Sequence, residues 1–176
     1  MNFHAKFLTM KFTQNDFYET FTNAEIIKKI DKLDIRQIER ILDEMYVQQP
    51  FFLSVILGYR YDVNGDEFDE IVKLHLYLWE YFRKNKKLCE KKVTNTSYEK
   101  AERKHLEMLK YTSEETNKEE IKNIYANDLQ NLNSKSLWAL MLYKFNSEPV
   151  LQKMSMKKKG PVLIEIKSFI ECFENL

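Results

Sequence analysis

The residues from Asp62 to Asp66 begin like a calcium-binding loop. Oxygen-bearing side chains stand at the first, third and fifth positions of that pattern, which are Asp62, Asn64 and Asp66. The sixth position of such a loop needs glycine and the twelfth needs a bidentate carboxylate, but the chain has Glu67 and Lys73 there. We therefore interpret these residues as a turn and a helix N-cap, where Asn and Asp side chains accept backbone hydrogen bonds.

Glu102 and His105 have the Glu-x-x-His spacing by which di-metal helical bundles place two ligands on one helical turn. Such a site needs a second motif of the same kind, and the sequence has none. His75 lies in an apolar helical stripe and could meet His105 in a shared interior. A single histidine in such a stripe is, however, more often a hydrogen-bonded core residue. The sequence therefore predicts no metal ligands and no cofactor.

Neither cysteine is accompanied by the groups that nucleophilic catalysis needs, namely a base beside the nucleophile and a third group that orients the base. Cys89 is followed by Glu90, Lys91 and Lys92, and we interpret it as an accessible thiol. Cys172 falls in an apolar terminal helix and is predicted to pack in the core. No catalytic residue is nominated, so the sequence favours a protein that is not an enzyme.

The remaining candidate chemistry is the binding of an anion by two lysine-rich segments. Residues 83–92 carry six lysines and arginines against one glutamate, and Lys153 with residues 157–159 forms a second cluster. The simpler interpretation is that these positive charges interact favourably with the dipole at a helix C-terminus and keep the protein soluble. If both clusters lie on one surface, they could bind nucleic acid or another anionic partner. The candidate anion-binding residues are Arg83, Lys84, Lys86, Lys87, Lys91, Lys92, Lys157, Lys158 and Lys159.

The chain as a whole is not basic. Its 176 residues include 28 Lys and Arg against 27 Asp and Glu, for a formal net charge of +1. A dedicated binder of nucleic acid or anionic membranes usually carries a large basic excess, so the composition argues against both classes. Lysines interrupt the N-terminal apolar residues, and the apolar stretch from Ile71 to Phe82 is shorter than the roughly twenty residues that a bilayer requires. With two cysteines far apart in sequence, these features predict a cytoplasmic protein without a membrane span.

The elements that must position these residues are predicted to be helices. Three glycines and three prolines supply too few turns for a many-stranded sheet protein, and apolar residues recur at three- and four-residue steps. Capping patterns and prolines predict helix starts at Thr22, Asp34, Pro50, Glu67, Thr96, Thr116, Ser134 or Ser136, Pro149 and Gly160-Pro161. We predict an all-α protein, a compact bundle of seven to nine helices in one domain over residues 1–176.

One segment, from Glu67 to about Lys87, is apolar nearly all round, which is typical of a helix in the centre of a bundle. Its section from Ile71 to Phe82 is predicted to be the buried core helix. The residues predicted to pack against it are Phe51, Phe52, Trp138, Ile166 and Phe169.

The chain carries the signs of an internal repeat. Residues 52–59 resemble residues 137–144 in their pattern of large and small apolar side chains, at an offset of 85. Residues 78–82 resemble residues 169–173 at an offset of 91. Either two related helical halves are present, or burial imposes one pattern on unrelated helices. The predicted halves are residues 23–90 and 117–176, bridged by a helix from Thr96 to about Thr112.

Residues 1–21 are interpreted as an irregular N-terminal arm. They contain five phenylalanines, which is too many for a free solvated tail, because disordered segments are poor in aromatic residues. The arm is therefore predicted to fold back on its own bundle or to reach across to a second copy. In the second case Phe3, Phe7 and Phe12 would help to hold a homodimer.

These observations lead to two hypotheses about function. The leading one is a non-catalytic helical interaction or adaptor protein with a protein partner, because the grooves of an aromatic-rich helical body can receive one. The alternative is a nucleic-acid-associated helical protein that uses the lysine-rich segments. The chain is expected to be a monomer or a homodimer.

Overall fold

A computed structural model describes residues 13–176, apart from the side chain of Asp16. Over this range the chain forms ten α-helices, a 3-10 turn at Tyr59–Tyr61 and no β-strand. The helices are α1 (Gln14–Ile30), α2 (Ile35–Gln48), α3 (Pro50–Gly58), α4 (Gly65–Phe82), α5 (Lys86–Glu90), α6 (Asn95–Glu114), α7 (Lys118–Gln130), α8 (Lys135–Ser147), α9 (Pro149–Lys153) and α10 (Met156–Glu174). The predicted all-α class is confirmed. Residues 13–176 form one helix more than the predicted maximum of nine, because α4 ends at Phe82 and the five-residue α5 follows, where a single helix to about Lys87 was expected. None of the helices within residues 13–176 is both long and apolar enough to cross a bilayer.

Several helices begin where local hydrogen bonding predicts. Asp34 Oδ1 accepts a hydrogen bond from the Gln37 backbone N–H at 2.8 Å, and Gln37 Oε1 accepts one from the Asp34 N–H at 2.9 Å. Asn64 and Glu67 form the same reciprocal pair at the start of α4, with distances of 2.9 and 3.0 Å. Pro50 occupies the first turn of α3. The interpretation of the calcium-like pattern as a helix cap is therefore confirmed.

The start of α1 differs from the prediction. Residues 14–21 belong to this helix, so the predicted irregular arm does not extend to residue 21. Thr22 lies in the helix interior, where its hydroxyl donates to the Tyr18 carbonyl, and it therefore cannot cap. Phe17 and Phe21 are 63% and 74% exposed, so the alternative that the arm folds back on its own bundle is wrong for these two. The remaining three, at positions 3, 7 and 12, lie outside the described residues.

Three further helices begin a few residues before or after the predicted position. α6 starts after Thr94, whose hydroxyl accepts from the Ser97 N–H at 3.2 Å, two residues before the predicted cap. α7 is capped by Asn117 rather than Thr116. α10 begins at Met156, and Pro161 lies inside it rather than at its start. The differences at α6 and α7 arise because neighbouring Ser, Thr and Asn residues compete to satisfy the same free N–H groups. The start of α10 follows Ser155, which makes no side-chain capping hydrogen bond.

The core is built around α4, as predicted. Trp79 and Leu78 are fully buried, and so is Phe52 of α3. The Phe52 ring lies 4.7 Å from that of Phe169 and 5.1 Å from that of Phe173, both on α10. Of the predicted neighbours, Phe52, Ile166 and Phe169 are fully buried, while Phe51 and Trp138 pack at the edge of the core.

α4 and α10 lie side by side and point in the same direction. Lys158 Nζ donates to Glu67 Oε2 at 2.7 Å near the start of both helices, and these two positions are 91 residues apart. The rings of Phe82 and Phe173, also 91 residues apart, lie 5.3 Å from each other near the helix ends. Residues 91 positions apart therefore contact each other at both ends of α4 and α10. Two parallel helices related by a two-fold axis make contacts of this kind.

This arrangement bears on the predicted repeat. The first residues of α3 and α8 are 85 positions apart and those of α4 and α10 are 91 apart, the offsets already present in the sequence. α1 and α2 have counterparts of similar length in α6 and α7. With halves of α1–α4 and α6–α10, α6 would belong to the second half rather than to a bridge. The duplication stays a prediction.

We expect Trp79→Ala to lower the free energy of unfolding by about 3–5 kcal/mol, because removal of a fully buried ring leaves a cavity. Tyr61→Ala truncates a side chain that is 91% exposed, and it is expected to change that free energy by less than about 0.5 kcal/mol. Urea unfolding followed by circular dichroism measures both values. A loss below about 1 kcal/mol for Trp79→Ala would place α4 outside the core.

Candidate functional site

In the first lysine-rich segment, residues 83–92, two of the basic side chains form contacts within the protein. Arg83 binds Glu44 and Glu80, each at 3.1 Å. Lys91 Nζ donates to the carbonyl oxygen of Leu176 at 3.0 Å. The other basic residues of this segment are exposed, namely Lys84, Lys86, Lys87 and Lys92.

The second segment, residues 157–159, forms the start of α10. Lys158 is tied to Glu67, and Lys159 Nζ donates to the Gln152 carbonyl at 2.8 Å, whereas Lys157 is exposed. The contact of Lys91 with Leu176 places the first segment at the opposite end of this 19-residue helix, about 28 Å away at 1.5 Å per residue. The two clusters therefore do not form the single surface that the sequence allowed.

The two cysteines occupy the environments that the sequence predicted. Cys89 is exposed and Cys172 is buried, and both are free thiols. Burial raises the pKa of the Cys172 thiol to about 11, which keeps it protonated at neutral pH. Cys172 therefore acts as a packing residue.

His75 is a buried core histidine that interacts with α10. Its Nδ1 lies 2.7 Å from the Ile71 carbonyl and its Nε2 lies 2.9 Å from Glu165 Oε1. Both ring nitrogens face oxygen atoms, and a protonated imidazole can donate to both of them. Burial opposes a charge on His75, but the adjacent Glu165 outweighs it and raises the histidine pKa. His75 does not meet His105, because each histidine faces a different carboxylate of α10.

A second polar cluster lies between α6, α7 and α10. It consists of His105 from α6, Asp128 from α7 and Glu171 from α10, whose ligand atoms lie within 4.8 Å of one another. His105 is 1% exposed, and neither of its ring nitrogens has a hydrogen-bond partner among the described residues. Its Nε2 lies 3.2 Å from Glu171 Oε1, which is the distance but not the direction of a hydrogen bond. Asp128 Oδ1 is also buried without a partner there.

Two lysines neutralise the carboxylates of this cluster. Lys104 Nζ donates to Glu171 Oε1 at 2.9 Å, and Lys167 Nζ contacts Asp128 Oδ2. Burial alone would raise the pKa of the Glu171 carboxyl, but His105 and Lys104 outweigh it and lower that pKa to about 2. Burial lowers the pKa of Lys167 to about 8. Glu171 is therefore ionised throughout the neutral range, in a site of mixed charge.

Sequence reasoning identified only part of this cluster. The Glu102 and His105 spacing singled out the histidine, but Glu102 accepts a hydrogen bond from the Tyr98 hydroxyl at 3.1 Å instead of joining it. Glu171 could have been identified from the sequence, since it is a carboxylate inside the apolar stripe of the terminal helix. Asp128 could not, because an acidic residue on an amphipathic helix is normally solvated.

A groove of about 310 Å³ lies along the contact between α1 and α8. Uncharged and mostly short side chains line it, and a hydrogen bond from Ser136 Oγ to Glu19 Oε2 at 2.6 Å joins the two helices there. Asn23 is buried beside the groove, and its Oδ1 has no hydrogen-bond partner among residues 13–176. The lining includes Thr20, Ala24, Ile27, Ser136, Ala139 and Tyr143. Sequence reasoning missed it because the first half of α1 was interpreted as an arm.

Comparisons of the chain with known protein families, with curated proteins and with solved structures found no match in any of the three sets.

The buried pair of His75 and Glu165 predicts a specific dependence of stability on pH. A histidine whose pKa is raised by folding stabilises the protein below its unfolded value of about 6.5, and this stabilisation is lost as the pH rises through the folded value. We therefore expect the pair's contribution to the free energy of unfolding to decrease above about pH 6.5 in the wild type.

The control for this prediction is Glu165→Gln, which leaves the burial of His75 as the main influence and so favours neutral imidazole. The stability of this variant should rise, not fall, as the pH increases from 5 to about 6.5. Chemical unfolding at a series of pH values measures both curves. Parallel curves for the two proteins would show that Glu165 does not set the charge of His75.

Proposed function

We propose that this protein is a non-catalytic helical interaction protein that receives an apolar helix of a partner protein in the groove between α1 and α8. The observation that carries the proposal is the groove itself, an apolar channel with a buried and unpaired acceptor, Asn23 Oδ1, beside it. A buried acceptor without a partner is costly, and a rotation of the Asn23 amide towards the groove would let a donor on a bound helix satisfy it. A cytoplasmic location is part of the proposal, because both cysteines are free thiols.

Exposed aromatic side chains next to the groove support this function. Phe17 and Phe21 each precede a groove residue of α1 by three positions, so they lie on the adjoining turns of the same face. Tyr143 lines the groove from α8 and is exposed as well. Clustered, exposed aromatic residues are typical of protein-binding surfaces, where they anchor the partner.

The chemistry of the lining indicates which kind of segment fits. Short side chains at Thr20, Ala24, Ser136 and Ala139 would allow another helix to approach closely. Because the lining side chains are uncharged and the Glu19 carboxylate already accepts a hydrogen bond from Ser136, an acidic group on the inserted face would lose its hydration without gaining a counter-ion. The partner helix should therefore present apolar residues together with one hydrogen-bond donor.

The alternative of a nucleic-acid-associated protein has weaker support. Arg83, Lys91, Lys158 and Lys159 are engaged in internal contacts, and the two clusters lie at opposite ends of α10. Retention on heparin at low and high salt tests this alternative, because binding to phosphates or sulfates weakens steeply as salt rises.

A pair of matched variants tests the groove. Ala139 and Ala126 are both exposed on helices, but Ala139 lines the groove and Ala126 lies on α7. Ala139→Lys should weaken binding of the partner at least tenfold, because it places a charge and a long side chain in the groove, while Ala126→Lys should not. Partners captured from the native cell by the wild type and both variants are identified, and the binding segment is then titrated as a purified peptide.

Two outcomes would contradict this function. Capture of the same proteins with the same affinity by all three forms would show that the groove binds none of them. A wild-type dimer that becomes a monomer only in Ala139→Lys, measured by light scattering, would show that a second copy of the chain occupies the groove.

A further inference from the structure

The cluster between α6, α7 and α10 has the composition of a metal site. We infer that His105, Asp128 and Glu171 bind one divalent transition-metal ion of the zinc type. One imidazole nitrogen and two carboxylate oxygens suit such an ion, and three protein ligands leave a fourth position for water. The site is independent of the groove between α1 and α8, because it uses other helices.

The distances in the cluster are close to those of a coordination sphere. Zinc binds imidazole nitrogen and carboxylate oxygen at about 2.0–2.2 Å, so tetrahedral ligand atoms lie about 3.4 Å from one another. His105 Nε2 and Glu171 Oε1 are 3.2 Å apart, and all three ligand atoms lie within 4.8 Å of one another. Small rotations of the side chains would therefore complete the site, without movement of the helices.

The second, independent observation is the unpaired state of two buried polar groups. His105 is almost completely buried and both of its nitrogens lack a hydrogen-bond partner among residues 13–176. Asp128 directs Oδ2 to Lys167, while its Oδ1 is buried and unpaired. Buried polar side chains are normally hydrogen-bonded, and a bound cation would satisfy the histidine and this oxygen together.

The corresponding place in the first half of the chain shows that packing does not require this cluster. Glu80 stands 91 residues before Glu171, near the end of α4, and it is also largely buried. Lys29 at 2.6 Å and Arg83 at 3.1 Å are enough to neutralise it. The histidine and the additional carboxylate around Glu171 are therefore an addition that ion pairing alone does not explain.

Lys104 and Lys167 compete with a metal ion for the two carboxylates. Lys104 is 53% exposed, so its ammonium group can turn into solvent when an ion enters. Lys167 contacts Oδ2 of Asp128 and leaves Oδ1 available to the ion. Lys167 thus holds the carboxylate in place, as groups around metal ligands commonly do.

Titration of the full chain with zinc chloride, by isothermal calorimetry, tests the inference. We expect one ion per chain in the wild type, and affinity weakened by at least about 10–100-fold in His105→Gln and in Glu171→Gln, since even changes beyond the direct ligands commonly cost that much. Glu102→Gln, on the same helix as His105, is the matched control and should bind as the wild type does. Lys104→Met should bind several-fold more tightly, because it removes a competing cation.

Cobalt chloride provides a spectroscopic check, since a tetrahedral Co²⁺ site with these ligands absorbs visible light. The wild type should show this absorption, and His105→Gln should lack it. If His105→Gln or Glu171→Gln fails to fold, as judged by circular dichroism, Asp128→Asn replaces it in both measurements. The absence of stoichiometric zinc binding by the wild type, or equal binding by the folded ligand variants, would overturn the inference.

Discussion

The parallel packing of α4 against α10 is the contact on which the rest of the structure depends. The two helices meet at both ends, through Glu67 with Lys158 and through Phe82 with Phe173. Between these points, His75 of α4 faces Glu165 of α10. Most of the circumference of both helices must be covered, since they carry the largest buried side chains of the described residues. α1, α8 and α9 pack on α4, while α6 packs on α10.

Because these two helices are buried, any polar side chain on or beside them is expected to have a hydrogen-bond partner. In a core of this kind, a charged or polar side chain persists only when a partner satisfies it, as Glu165 does for His75 and Lys29 does for Glu80. Five of the described residues carry buried side-chain atoms without a hydrogen-bond partner, namely Asn23, Trp79, His105, Asp128 and Glu165. His105 and Asp128 belong to the cluster around Glu171 and Asn23 borders the groove, while Trp79 and Glu165 lie in the core formed by α4 and α10. Three of the five therefore lie where we propose that a ligand binds.

The groove and the cluster are separate properties of the molecule. The groove lies between α1 and α8, which cover α4, whereas the cluster joins α6 and α7 to α10. An apolar helix in the groove would contact both α1 and α8, whereas a metal ion in the cluster would link α6, α7 and α10. Binding of either ligand would add its own free energy to folding, because both sites are assembled only in the native state. The two proposals can fail independently of each other.

The all-α class, the buried α4 and several helix starts follow from the residue pattern alone, since they depend on interactions within about four residues. Asp34 with Gln37, and Pro50, mark helix starts from local chemistry alone. The start of α1 was not predictable from Thr22, because the choice between a cap and a helix interior depends on how far the helix continues. In contrast, the packing of the helices brings His105 to Asp128 and Glu171 and keeps the two lysine clusters apart. These contacts join residues tens of positions apart in the sequence. They depend on the packing between helices, so no local sequence pattern predicts them.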